Sequence, residues 1–225
     1  MASLAEVEAR VEEGITLEKR LAWVEALDHY RHLLDGLAGM TEAPALWRVR
    51  AQIALREANA LMVLERNDEA RARFDVAIDE AVRSKDRLEL ARGLVGAGVF
   101  AANSGDLDRG EAFLLRAAEE AEAVASADGR QALGWALLNL GGILGKRGKL
   151  DLAFLALHKS RERLFALENW IGVATSWELE ARLRETLGDE AMAREHYAEA
   201  VTFYRREGMT EKIDSLQGKL GRKAV

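Results

Sequence analysis

Gly96-Ala97-Gly98-Val99-Phe100-Ala101 matches the loose G-x-G-x-x-G/A pattern of a dinucleotide-binding turn. That turn works only between a strand and the start of a helix, where backbone N–H groups face a pyrophosphate. Leu88 to Val95 read as helix, so these glycines fall mid-helix and serve packing. Gly145-Lys146 resembles part of a phosphate loop but lacks the upstream glycine and the Ser/Thr. His29 and His32 lie three apart on one helix, yet a metal site needs further ligands converging on the ion. His158 and His196 fall in distant segments, and neither H-E-x-x-H nor a paired Glu-x-x-His motif is present. Glu119, Glu120 and Glu122 read as a solvated helix face. The serines (Ser3, Ser84, Ser104, Ser126, Ser160, Ser176 and Ser215) have no nucleophile-elbow context. Cysteine is absent, which removes thiol catalysis and disulfides. The sequence predicts no catalytic residues, no metal site and no cofactor, hence no enzyme.

The elements that carry these residues repeat. Gly14, Ala58, Gly98, Gly141 and Ala181 are each followed twelve positions later by Ala26, Ala70, Gly110, Ala153 or Ala193. Four further on come Tyr30, Phe74, Leu114, Leu157 and Tyr197, and three beyond them Leu33, Ala77, Ala117, Ser160 and Ala200. The step between units is 44, 40, 43 and 40 residues, while the internal spacing does not change. Repetition in this range means stacked supersecondary units. Apolar residues recur three or four apart within them, as in Trp135, Leu138, Gly141, Gly142 and Gly145, which is helical spacing. Breaks at Glu65-Arg66-Asn67-Asp68, Ser104-Gly105-Asp106, Gly148-Lys149 and Leu187-Gly188-Asp189 divide each unit into two antiparallel helices. A single proline, Pro44, and abundant Ala, Leu, Glu and Arg agree with helix throughout. The chain reads as all-α. Small residues let the two backbones of a pair approach closely, and the large residue is expected to fill the gap toward the neighbouring pair.

The 225 residues, 49% hydrophobic, suffice for one elongated domain. A formal charge of −6 gives no basic face for nucleic acid, and the mildly basic tail from Arg205, with Arg206, Lys212, Lys219, Arg222 and Lys223, reads as a solvated helix end. The start Met1-Ala2-Ser3-Leu4-Ala5-Glu6 lacks the basic and apolar regions of a signal peptide. Ala132 to Leu144 is too short and glycine-rich to span a bilayer, so no membrane partner is expected. The expected location is cytoplasmic.

Leu140-Gly141, then Leu144, Gly148, Leu150, Ala153, Leu157 and Ser160, resembles the signature of the tetratricopeptide repeat family, and Trp177 matches the family's tryptophan in the fifth unit. The family's usual period is about 34 residues, and its closing proline is missing here. The likeness is to the long-helix members, of kinesin-light-chain-like and bacterial regulator type. HEAT repeats share the period but do not explain the constant spacing of twelve. The resemblance implies a right-handed superhelical solenoid of five antiparallel helix pairs (3–38, 44–84, 86–126, 128–167 and 169–207) and a capping helix at 209–221, within a single domain, 1–225.

In that family the first helices line a concave groove. Counting from the small positions puts Arg56, Asn59, Arg92, Asn103, Asn139, Gly142, Lys146 and Arg182 on it, as a protein- or peptide-binding site. Asn can donate to and accept from an extended backbone, while Arg and Lys suit carboxylates. Gly96, Ala102, Gly142 and Gly145 are expected to leave depth for a guest. Asn59 and Asn139 match asparagines of the family's carboxylate clamp, but Leu55, Trp135 and Asn139 stand where that clamp has basic residues. Trp47 and Trp170, each eleven before a small position, are expected to pack on the preceding pair. The expected function is a non-catalytic protein- or peptide-binding adaptor or scaffold. The alternative is a regulatory or self-assembly module whose terminal helices meet another subunit or a second copy in a homodimer.

Overall fold

A computed structural model describes residues 3–221; Met1, Ala2, Arg222 and Lys223, which figure in the sequence reading, lie outside the described residues. Among the described residues there are eleven α-helices and no strand. The chain divides after Glu120 into two compact units.

The first unit holds α1 (Leu4–Lys19), α2 (Trp23–Gly36), α3 (Pro44–Val63), α4 (Asn67–Ser84), α5 (Arg87–Asn103) and α6 (Leu107–Glu122), whose last turn crosses the boundary. Ser3 and Glu6 open α1 with a reciprocal capping box, and Pro44 opens α3 where its missing N–H costs nothing. The first helices α1, α3 and α5 touch in succession. The second unit holds α7 (Ala127–Lys146), α8 (Leu150–Ala166), α9 (Trp170–Thr186), α10 (Glu190–Arg206) and α11 (Thr210–Leu220). There α7 touches α9, and Ser126, Asn169 and Asp189 cap α7, α9 and α10.

Each pair turns in the same way. Seven residues after each small position stands a residue in the left-handed region: Leu21, Glu65, Gly105, Gly148 or Gly188, with φ from 58° to 88°. The next amide donates back to the carbonyl five residues earlier, as in Lys149 N to Leu144 O at 2.9 Å. This closes the helix and reverses the chain. Glycine holds three of the five turns because a Cβ is strained there.

The repeating positions form the seam. Ala26, Ala70, Ala153 and Ala193 are buried, as are all five large residues from Tyr30 to Tyr197. A Cβ on Gly141 would lie 2.7 Å from Leu157 Cγ and 3.2 Å from the Ala153 carbonyl oxygen; one on Gly98 would lie 2.8 Å from Leu114 Cγ. A Cβ on Gly14 would enter the Tyr30 ring. The large residue therefore seats on the small residue of its own pair, which differs from the expectation that it fills the gap to the neighbour. In the second unit that gap is filled by Leu164, fully buried, which packs against Gly134 of its own pair and Gly172 of the next. Trp170 stands against Phe165 of the preceding pair, ring centres 5.3 Å apart and edge-on, and stacks on Phe203.

Candidate functional site on the first helices

In the first unit the inner residues join into a ladder across α1, α3 and α5. Arg56 Nη1 donates to Glu18 Oε2 at 3.1 Å, linking α3 to α1. Gln52 Nε2 donates to Glu89 Oε1 at 2.9 Å, linking α3 to α5, and Arg92 Nη1 donates to the same oxygen at 2.9 Å. Asn59 is half-buried one turn beyond Leu55, and Asn103 is exposed at the end of α5. No side-chain hydrogen bond ties Asn59 or Asn103 to another described residue. The structure thus brings Arg56 and Arg92 into ion pairs and leaves the two asparagines available.

The second unit is arranged differently. The Asn139 amide donates to the Trp135 carbonyl at 2.8 Å, one turn back on its own helix. Lys146 is exposed at the end of α7. Arg182 pairs with Glu178, which is 4% exposed and also accepts from Tyr204 Oη at 2.7 Å. The Arg182 pair to a buried carboxylate makes replacement of this arginine costlier than its exposure implies.

Two floor positions offer no depth. A Cβ on Gly96 would lie 2.7 Å from the Phe74 ring and 3.0 Å from Leu55, and one on Gly145 would enter Leu183. These glycines are filled by the protein's own side chains. At Gly142 a Cβ would meet only Leu179, at 3.8 Å.

The partners of the acids on the first helices are the feature that counting along helices missed. Tyr30 Oη donates to Glu18 at 2.6 Å and Tyr197 Oη to Glu185 at 2.7 Å, each acid twelve residues before its tyrosine. Burial first, then the carboxylate, pushes both phenols far above their ordinary value, so they stay protonated donors. Where the large residue is Phe74, Leu114 or Leu157, the acid position is Met62, Ala102 or Gly145. A second pairing recurs between the residue before the small position and a base sixteen later: Glu13 with His29 at 3.9 Å, Glu57 with Arg73 at 2.5 Å, Glu180 with His196 at 3.8 Å. The other two units carry Ala97 with Phe113 and Leu140 with Ala156. Polar and apolar members change together, a signal that was present in the sequence.

His196 is 7% exposed, against Trp177 at 4.9 Å between ring centres. Burial first, with Arg184 and Arg161 adding to it, lowers its pKa below 6.5 despite Glu180 and Glu195. The folded protein then takes up a proton less readily than the unfolded chain, so this contribution is whole above about pH 6.5 and is lost as pH falls through it. The stability difference between wild type and His196→Gln should therefore depend on pH below 6.5 and be flat above. A difference constant from pH 5 to 8 in urea titrations would contradict the burial argument.

Among the described residues no three His, Cys, Asp or Glu side chains converge as metal ligands, and no helix is long and apolar enough to cross a membrane. No protein-family model and no curated protein matches the sequence. Solved structures do match in fold. A signal-transduction ATPase of Pyrococcus horikoshii with a tetratricopeptide repeat sensor aligns at TM-score 0.74 and 13% identity, over 96% of this chain and 32% of that one. PlcR of Bacillus thuringiensis, in complex with the peptide PapR7 and DNA, aligns at 0.73 and 13%, over 99% and 76%. Kinesin light chain TPR-like repeats of Podosopora anserina align at 0.66 and 11%, over 99% and 100%. With its invariant small-to-small spacing and its stacked antiparallel pairs, the chain has the fold of a tetratricopeptide-type repeat protein.

Proposed function

We propose that the chain is a non-catalytic binding module that takes a protein segment or peptide on the faces of its first helices. The observation that carries this reading is the inner face of α3 and α5. Asn59 and Asn103 carry no side-chain hydrogen bond among the described residues, and Asn59 lies one turn beyond Arg56, which the ladder ties to α1. An amide head held on a rigid face can pair with both the donor and the acceptor of a guest backbone. The PlcR structure, a complex with a peptide, supports a peptide as the kind of guest for this fold.

A displayed random-peptide library selected on the purified chain supplies the probe. Asn59→Ala with Asn103→Ala should weaken the selected peptides at least tenfold, with stability changed by less than about 1 kcal/mol, since neither side chain caps or pairs. For peptides that use the second unit, Gly142→Leu should block binding by standing in the guest's volume. Undiminished affinity in both variants would move the site off the first helices.

A further inference from the structure

Helix α11 stands in the register of another first helix. Lys219 precedes Gly221 by two residues, as Arg56 precedes Ala58, and it reaches Glu185 as Arg56 reaches Glu18. Lys219 Nζ lies 2.9 and 3.0 Å from the Glu185 oxygens, and Lys212 Nζ lies 3.6 Å from Glu178. The two lysines are seven apart and so are the two acids, so two turns of α11 match two turns of α9. Between them Leu216, 4% exposed, enters the apolar cluster of Tyr197, Ala200, Val201 and Tyr204.

The helix is weakly held for an element so well matched. Leu216 is its only fully buried residue, while Met209, Ile213 and Leu220 lie half-buried against the same cluster. Its N-cap, Met209, provides no side-chain hydrogen bond. Gly218 interrupts it although a Cβ there would meet nothing within 4 Å, so packing does not require the glycine. Eleven residues with an interior glycine make a marginal helix in isolation. The seat is more built than its occupant: Glu178 is buried and held by Tyr204 and Arg182, and Glu185 is held by Tyr197.

We propose that the seat formed by Glu178, Glu185 and the apolar cluster is a docking site for a basic amphipathic helix of a partner, with cations seven residues apart flanking a central leucine, and that α11 is its resident, displaceable occupant. Charge complementarity on both turns fixes the class of ligand, and the uncapped start and interior glycine of α11 allow exchange. The site shares α9 with the proposed binding face, but its test needs no groove ligand, so either can fail alone.

Hydrogen exchange of the full wild-type chain should show the amides of 213–220 exchanging at least a hundredfold faster than those of α9 and α10. A labelled peptide spanning 208–221 should bind the full-length Lys212→Glu, Lys219→Glu variant, whose own α11 is repelled from the acids, at least tenfold more tightly than it binds wild type. The same peptide with both lysines changed to glutamate should bind neither protein. Protection of α11 equal to that of α9 overturns the proposal. So does equal binding to variant and wild type, or binding of the acidic peptide.

Discussion

Replacing Gly141 by leucine should cost about 3 kcal/mol or more of stability, one of the two largest losses expected in this chain. The position is enclosed from two sides. A Cβ would press on Leu157 at 2.7 Å, and the Ala153 carbonyl oxygen stands at 3.2 Å. Leu157 is fully buried and could retreat only by displacing its neighbours, while the Ala153 backbone could retreat only by opening the α7–α8 pair. The loss should begin with that pair and reach α9 only through their contact. The adjacent glycine supplies the control. Gly142→Ala places its methyl 3.8 Å from Leu179, in ordinary contact, and removes a mid-helix glycine. That change should be neutral or stabilise by up to about 1 kcal/mol. Urea midpoints of opposite sign at two consecutive residues would locate the seam to one side of the helix. Equal midpoints for wild type and Gly141→Leu would show that the small positions are not where the helices meet.

Most of this architecture was legible because backbone proximity forbids most side chains. Five small-to-small intervals of twelve exist because each turn uses the same seven-residue run to a left-handed position. The site was legible only in part. Counting along helices placed Arg56, Arg92 and Arg182 on the inner face; Glu89 and Glu178, 3 and 4 residues before two of them, were within its reach, but the acid that meets Arg56 comes from 38 residues away on a helix brought there by packing. Gly96 and Gly145 looked like open floor since a glycine carries no mark of what leans on it. Phe74 and Leu183 lean on them here. The tyrosine–acid spacing of twelve could have been read, since it follows the same interval as the small residues. Reading it required asking which polar residues change type together from unit to unit.

Arg161→Ala should cost about 3–5 kcal/mol, because it leaves a buried carboxylate without its cation. Arg161 Nη1 lies 2.6 Å from Glu180 Oε2, and the two side chains are 14% and 11% exposed. The guanidinium also lies 3.5 Å above the Trp177 ring and within 3.5 Å of Ser176 Oγ. Water cannot replace those contacts at so little exposure. His196, the remaining base near Glu180, has its pKa lowered chiefly by burial and so is a poor replacement for the guanidinium. Two further variants separate pairing from burial. Arg66→Ala breaks a bond of equal length to Glu69, but both side chains stand in solvent, so the fold should hardly respond. Arg161→Met with Glu180→Leu removes both charges and keeps the volume, and should recover most of the loss or exceed wild type. A double variant as unstable as Arg161→Ala alone would mean that Trp177 stacking, not the ion pair, holds the α8–α9 contact. A single variant within 1 kcal/mol of wild type would mean that Glu180 finds solvent when Arg161 is gone.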